Sequence, residues 1–579
     1  MTRLPRQGWG VLFLYAALFL LAVQNAVLAQ DKPAKIEEAL TLAHKYGQFN
    51  GSVLVAENGK VIYKKGFGLA NMEWNIPNTP ATKFRLGSIT KQFTSMLILQ
   101  LAEQGKLKLD GKISDYLPDY RQDIGQRVTI QHLLTHTSGI PSYTSQPDFF
   151  KDVSRNPYTV AEFVQKYASR DLEFEPGTKF SYNNSGYFLL GAIIEKVTGK
   201  PYEQVLKENI LDPLGMKNTG YDHQATIIPG RAAGYVKTPD GYVNAPYLDM
   251  SIPYAAGSLY STVEDLYLWD QALYTDKLIS ARSKELMFKP FLEHYAFGWI
   301  VTDAPFKVKD EPVQIIAHDG GINGFSTTIV RFVAQKNLIV MLDNTSQGQY
   351  LSRLSEIIGR ILYNQPHNPP KMSIAAVIFR TIAEKGIEAG LAQYRDLKTK
   401  QPVAYDFGEA ELNRLGYQLL RAGKIKESIE VFKLNVEMYP QASNTYDSLG
   451  EAYMASGERD LAVQNYKKSL ELNSQNTNAA EMLKRLESRP ATVDPKLYDA
   501  YVGDYEVTPG FVVSIFKEGE KLMTQATNQP KFELFPESET TFFLRVVDAK
   551  VTFVKDAQGK VTGIVIHQGG RDIPAKKIK

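Results

Sequence analysis

Apolar and polar positions alternate in distinct ways along this chain. Gly51–Glu57 and Lys60–Gly68 are strand-like runs on either side of Asn58-Gly59. Two such runs about an Asn-Gly pair predict a β-hairpin. An apolar-rich segment then extends from Ile89 to Ala102, with Gly105 as its stop, and predicts a helix entered at Ser88. Tyr187–Ile194 predicts a buried helix behind a loop that carries the turn pair Pro176-Gly177. Tyr295–Val301 and Val313–Ala317 predict strands, and Phe325–Val333 with Leu338–Leu342 predicts a further hairpin around Gln335-Lys336-Asn337.

Past the linker-like stretch Pro366–Pro370 the pattern changes. Leu412, Leu415, Gly416, Leu419, Ser428, Phe432 and Pro440 recur 34 residues later as Tyr446, Leu449, Gly450, Tyr453, Ala462, Tyr466 and Ser474. That is the period of tetratricopeptide repeats. Asn478–Glu487 would cap them, and the helical segment Ser373–Lys398 is expected to supply a packing partner, because two repeats are few to stand alone. After Arg489-Pro490 the runs 511–517, 521–525, 541–546, 551–554 and 561–567 predict a small all-β unit, read as a barrel, punctuated by Gly503, Gly519 and Gly559.

The opening residues have another character. Arg3 and Arg6 precede an unbroken apolar run from Val11 to Val23, and Val27-Leu28-Ala29 precedes Gln30. This is the pattern of a secretory signal over residues 1–29; the alternative is an uncleaved membrane anchor, for which the run is short. The expected organisation is therefore a signal at 1–29, a main domain at 30–364, a linker and helix at 365–400, repeats with a capping helix at 401–488, and a β domain at 491–579. A secreted or periplasmic protein with no stable membrane span after cleavage follows. With 66 basic and 63 acidic residues among 579, net charge +3, nothing marks a nucleic-acid partner. The absence of cysteine excludes disulfides and thiolate metal sites.

The candidate chemistry starts at Ser88-Ile89-Thr90-Lys91. On a helix, residues three apart share a face. A serine hydroxyl needs a base, and a lysine whose ammonium is disfavoured by burial and by the helix N-terminus can be that base. Ser514-x-x-Lys517 also matches, but in a strand-like run, where positions three apart face opposite ways. Tyr182 and Asn184 lie on a loop at a helix entrance, where a phenol and a carboxamide can enter one cleft; Tyr242-x-Asn244 is read as a solvated turn. His318-Asp319-Gly320-Gly321 directly follows a strand, with two glycines that let backbone amides approach a ligand. His567-Gln568-Gly569-Gly570 imitates it without the other parts, and Glu409-Ala410-Glu411-Leu412-Asn413 imitates a penicillinase motif inside the repeat. His132 and His136 have the spacing of zinc ligands, but Leu133 stands where a zinc peptidase has Glu, so a structural histidine before a turn is the reading, with no metal and no cofactor.

Ser88-x-x-Lys91, Tyr182-x-Asn184 and His318-x-Gly320 occur in the order used by the penicillin-recognising serine hydrolases. Residues about 40–363 resemble the class C β-lactamase family and its relatives, the D-peptidases and esterases. Leu133–Pro141, Glu175–Thr178 and Ala256–Thr262 resemble further family segments. The resemblance implies a mixed α/β (α+β) fold, an antiparallel sheet flanked by helices plus a helical subdomain, with the cleft between them. It implies Ser88 as the acylated nucleophile, Lys91 as base or as the group that keeps Tyr182 poised, and Tyr182 as proton shuttle. Asn184 would orient Lys91 and the substrate amide, His318, Gly320 and Gly321 would meet the substrate, and the N–H groups of Ser88 and Gly321 would form an oxyanion hole. True β-lactamases of this type usually carry Lys-Thr-Gly where this chain has His318-Asp319-Gly320. A histidine only partly charged near pH 7 weakens the case for penicillin and favours small esters, D-amino-acid peptides or related amides. The alternative is a non-hydrolytic cell-wall-peptide or penicillin-binding protein whose repeats recruit a protein partner.

Overall fold

The run Asn337–Asp343 is buried along its whole length, so both of its faces need a covering layer. The computed structural model describes residues 32–579 apart from 147–148, 239–240, 488–490, 546, 548 and 569–570. The expected signal at 1–29 lies outside the described residues, as do Pro239-Asp240, Arg489-Pro490 and Gly569-Gly570 of the sequence reading. Two compact units divide the chain, 1–371 and 372–579.

In the first unit a helix α1 over residues 32–45 leads into β1 (Gly51–Glu57) and β2 (Lys60–Phe67), the hairpin expected about Asn58-Gly59. The helix α2 (Thr90–Glu103) and the helix α3 (Asn184–Thr198) follow. Then come β3 (Ile300–Val308), β4 (Glu311–Ile322), β5 (Phe325–Phe332), β6 (Asn337–Asp343) and the helix α4 (Gly348–Leu362). The strands form one antiparallel sheet in the order β3-β4-β5-β6-β1-β2. Its register pairs Val53 with Met341 and Leu54 with Val340. Side chains alternate along a strand, so Leu54, Ile329, Leu338 and Val340 join the core around Phe93 and Leu97 of α2. Val53, Val330, Ile339 and Met341 join a second core with Ile36 and Leu40 of α1 and Leu354 and Ile358 of α4. Among the described residues no helix is long and apolar enough to cross a membrane.

Three expectations change here. Tyr295–Val301 is not one strand, because the backbone reverses at Gly298 (φ 77°) and Ala296 N–H donates to Trp299 O at 2.7 Å. A Cβ at Gly298 would stand 2.9 Å from the Lys91 carbonyl, so this reversal is packed directly on α2. His318-Asp319-Gly320-Gly321 does not follow its strand but belongs to β4, with Gly320 opposite Thr327 and Gly321 opposite Ser326. Tyr242-Val243-Asn244 is no solvated turn: Gly241–Asn244 is a strand paired with Tyr235–Thr238.

In the second unit Ile374–Lys385 and Ile387–Lys400 are two helices broken at Gly386, where the sequence reads as one segment. Ile374, Ile378 and Tyr394 share a core with Leu412, Leu415 and Leu419, so this segment does pack on the first helix pair. Glu409–Arg421 with Ile425–Met438 and Ser443–Ser456 with Arg459–Leu472 are two helix pairs offset by 34 residues. Thr477–Glu487 covers the second through Ala479, Leu483 and Leu486. A closed eight-stranded barrel runs from Gly503–Thr508 to Arg571–Lys577, which leaves no sheet edge open. Three of its strands, Gly503–Thr508, Phe532–Pro536 and Arg571–Lys577, are not among the runs expected from sequence, and the third expected run ends at Phe543 rather than at residue 546.

Leu54, 1% exposed on the α2 side of β1, gives a test of the sheet register. Leu54→Ala should lower the unfolding free energy of the intact protein by about 2–5 kcal/mol in denaturant titration. A loss below about 1 kcal/mol would show that this face is not the core.

Candidate active site

Ser88 lies in the short helical turn Gly87–Ile89, which runs straight into α2. The core residues Ile89, Phe93, Met96 and Leu97 sink this end of the helix into the first unit, and Lys91 goes with them at 0% exposure. The Lys91 amine is 2.9 Å from Ser88 Oγ, 2.8 Å from Asn184 Oδ1 and 2.9 Å from Ala256 O. Burial drives its pKa well below that of a free lysine, because the ammonium form loses hydration it does not recover here. A neutral amine has two N–H bonds and one lone pair. The two oxygens of Asn184 and Ala256 can only accept, so they take both N–H bonds and leave the lone pair to the Ser88 hydroxyl. Asn184 Nδ2 donates to Thr144 Oγ1 at 3.1 Å, which holds the amide with its oxygen toward the lysine.

Tyr182 closes the other side. Its phenol is hydrogen-bonded to Ser88, and desolvation raises its pKa against the lowering effect of that bond. The residue is 38% exposed, so its ring edge meets solvent while its hydroxyl end is enclosed. Lys91 Nζ stands 5.0 Å from the Tyr182 ring centre and 5.5 Å from that of Tyr187. The loop is pinned by His136: Asn183 N–H donates to its Nδ1 at 3.0 Å, and Ser181 N–H donates to its carbonyl at 2.9 Å. The His136 ring lies 4.3 Å from that of Tyr182 and 4.5 Å from that of Tyr295. Asn183 also caps α3 by accepting from Gly186 N–H, so Asn184 is the first residue of a helix that the sequence reading starts at Tyr187. His132 points elsewhere, its Nδ1 accepting from Thr129 N–H in the capping box of Ile130–Leu134.

His318, 4% exposed, has both ring nitrogens engaged. Nδ1 is 2.6 Å from Asp319 O, which can only accept, so Nδ1 carries the proton. Nε2 then accepts from Tyr295 O–H at 3.0 Å. Burial, with the lysine nearby, lowers its pKa to about 4. The partly charged imidazole expected from sequence is thus a neutral one, turned to the protein rather than to the cleft. Gly320 faces the nucleophile turn: a Cβ there would sit 1.9 Å from Leu86 O, the carbonyl that also accepts from Thr327 Oγ1 at 2.7 Å. Gly321 has open space at its Cβ position.

A cavity of about 710 Å³ opens beside Ser88. Ser88, Asn184, Gly321, Thr144, Ala256 and Gly257 line its reactive end, and Tyr143, Phe149, Phe150, Tyr247, Leu248 and Ile252 give it apolar walls. Tyr182, His318 and Gly320 stand outside these walls. The structure therefore gathers Ser88, Lys91, Tyr182, Asn184 and Gly321 within one site and sets His318 and Gly320 behind it. Sequence reasoning missed Thr144, Tyr295 and the carbonyl of Ala256; a backbone oxygen has no side-chain signature, although Ala256-Gly257 stood in a segment singled out for other reasons. The second Ser-x-x-Lys behaves as strand residues do, Ser514 donating to Asp504 at 2.7 Å and Lys517 to Asp499 at 2.7 Å. His567 is held between Thr552 at 2.8 Å and Asp572 at 2.6 Å on the barrel.

A family model described as Beta-lactamase matches residues 34–360. A second, a domain of unknown function (DUF3471), matches residues 487–577, the stretch that holds the barrel. Penicillin-binding protein 4* of Bacillus subtilis (strain 168) is 27% identical over 562 residues, covering 93% of this chain and 97% of its own. The putative penicillin-binding protein PbpX of that strain is 31% identical over 316 residues, 54% of this chain and 75% of its own. The crystal structure of D-amino acid amidase from Ochrobactrum anthropi SV3 complexed with L-phenylalanine amide has a TM-score of 0.50 at 26% identity, over 57% of this chain and 97% of that one.

The neutrality of His318 has a pH signature. Its pKa is lowered to about 4 in the folded chain and lies near 6.5 when unfolded. The unfolded state thus binds the extra proton between those values, and stability attributable to His318 is lost as pH falls from about 6.5 to about 4. In NMR titration of the folded protein the His318 imidazole should stay neutral at pH 6. Titration of that ring near 6.5 would contradict the buried tautomer.

Proposed function

We propose that this chain, which belongs to the beta-lactamase family, hydrolyses small esters, D-amino-acid peptides or related amides through an acyl-enzyme on Ser88. The observation that carries this reading is the three-way coordination of the Lys91 amine, which leaves its lone pair to Ser88. In the proposed sequence Lys91 takes the hydroxyl proton while Ser88 Oγ bonds to the substrate carbonyl carbon. The developing oxyanion is received by the backbone N–H groups of Ser88 and Gly321, a device in which one donor is worth on the order of 10²–10³ in rate. Tyr182 hands a proton to the leaving group as its bond to the carbonyl breaks. It then draws one from the water that attacks the acyl-enzyme, and Ser88 recovers its own. Asn184 keeps Lys91 oriented and offers its amide to the substrate.

The substrate range follows from two supports. The neutral, inward-turned His318 offers no cation for the carboxylate of a penicillin, which speaks against a dedicated β-lactamase. The similarity to penicillin-binding proteins and to a D-amino acid amidase favours amides and peptides of D-amino acids. In this reading the chain is exported by its N-terminal signal. Its helix pairs are tetratricopeptide-type units that recruit a protein partner through the groove of about 660 Å³ lined by Ile382, Ile387, Ile429, Tyr453 and Leu461.

Intact-mass spectrometry should show an acyl adduct with a slow ester or amide substrate, mapped by digestion to Ser88. Ser88→Ala should remove the adduct, labelling by a fluorophosphonate probe and at least about 10³ of kcat. Lys91→Met should lose a comparable factor while the protein stays folded. Labelling that survives in Ser88→Ala at another serine would end the assignment.

A further inference from the structure

Among the described residues, the walls of the cavity beside Ser88 hold one charged side chain. Lys91, His136 and His318, the other basic groups of the site, are buried and held neutral by desolvation, and Lys91 and His318 have their polar atoms engaged. Among the described lining residues Arg155 alone carries a charge, and no acid stands among them. It is exposed and, among the described residues, has no ion-pair or hydrogen-bond partner. The backbone around it is nevertheless fixed. Ser154 Oγ donates to Phe150 O at 3.0 Å, Ser154 O accepts from Asp249 N–H at 2.9 Å, and Asn156 Nδ2 donates to Asp152 O at 2.8 Å. The acid bound at this segment is already satisfied: Asp249 is buried and accepts from Ser251 N–H at 3.0 Å, from Ser251 Oγ at 2.6 Å and from Tyr247 O–H at 3.2 Å. The same cavity has apolar lining, including Phe150 at 60% and Tyr247 at 44% exposure.

We propose that Arg155 is the specificity-determining anchor for a carboxylate at the far end of the substrate's acyl group. This rests on the acyl-enzyme reading above and names its substrate class: an ester or amide whose acyl part has an apolar body and a terminal anion. The acyl side is chosen by the position of Tyr182. Ser88 and Gly321 line the cavity, and Tyr182, which serves the leaving group in the proposed sequence, is not among its lining residues, so the proposal puts the acyl part in the cavity. A guanidinium pairs with a carboxylate through two parallel N–H donors, and an apolar surround strengthens such a pair. The strand position where true β-lactamases of this type usually carry a lysine holds a neutral His318 here, and in this proposal anion recognition falls to Arg155.

The test uses the full chain and two matched aryl esters whose straight acyl chains end in methyl or in carboxylate. Wild type should favour the carboxylate ester in kcat/KM by about tenfold or more. Arg155→Ala should abolish that preference, and Arg155→Lys should restore part of it. In a second arm calorimetry measures binding of the carboxylate ester to Ser88→Ala. The affinity should fall roughly tenfold when Arg155→Ala is added, and fall with salt in the parent alone. An equal ester ratio in wild type and Arg155→Ala, or equal affinity with and without Arg155, overturns the proposal. If wild type hydrolyses neither ester, the acyl-enzyme reading fails, and the binding arm still decides on Arg155.

Discussion

The desolvation of one amine organises this site. A lysine ammonium is among the costliest groups to bury, and Lys91 is buried completely with no carboxylate beside it. The cost is avoided by giving up the proton. That solution works only if the neutral amine has its two hydrogens satisfied, and the acceptors come from remote parts of the chain, Asn184 at the head of α3 and Ala256 on the short helix Tyr254–Gly257. The same helix–helix packing that keeps water out therefore delivers the hydrogen-bond partners. The position of the Lys91 amine and the packing of the core are here one constraint.

A second consequence concerns charge. Three basic side chains, Lys91, His136 and His318, share one dry region, and each would raise the cost of charging the others. The stable arrangement has all three neutral. A neutral His318 can accept from Tyr295, and Tyr295 in turn packs edge-on to Tyr182 at 6.1 Å and against His136. The imidazole thus acts on Tyr182 through a chain of contacts. A lysine ammonium at position 318 could not accept that hydrogen bond, so a histidine there sets the hydrogen bonding of the back wall as well as its charge.

Much of this was legible in the sequence where the signal is local. The Asn58-Gly59 hairpin, the helix after Ser88, the hairpin ending in Leu342 and the 34-residue recurrence all follow from short-range periodicity. The failures share a cause, which is that tertiary contacts override local preference. Tyr295–Val301 alternates like a strand, but Gly298 lets it turn on the backbone of α2. Strand β4 continues through two glycines because its neighbour β5 supplies hydrogen bonds that propensity alone would not predict. Barrel strands such as Phe532–Pro536 are held by closure of the ladder on both sides. Of the site, the side chains with chemical identity were readable; Thr144 and the Ala256 carbonyl were not, since only the folded chain gives them a direction.

The glycines of β4 show how the parts are tied. Gly320 presses against Leu86 O, the residue two before Ser88, where any side chain would collide. Thr327, opposite Gly320 in the register, donates to that same carbonyl. The turn that carries Ser88 is thus clamped to β4 and β5, with open space left at the Cβ position of Gly321. The strand that carries the glycines expected to meet a substrate also holds the turn of Ser88, whose hydroxyl lies 2.9 Å from the Lys91 amine.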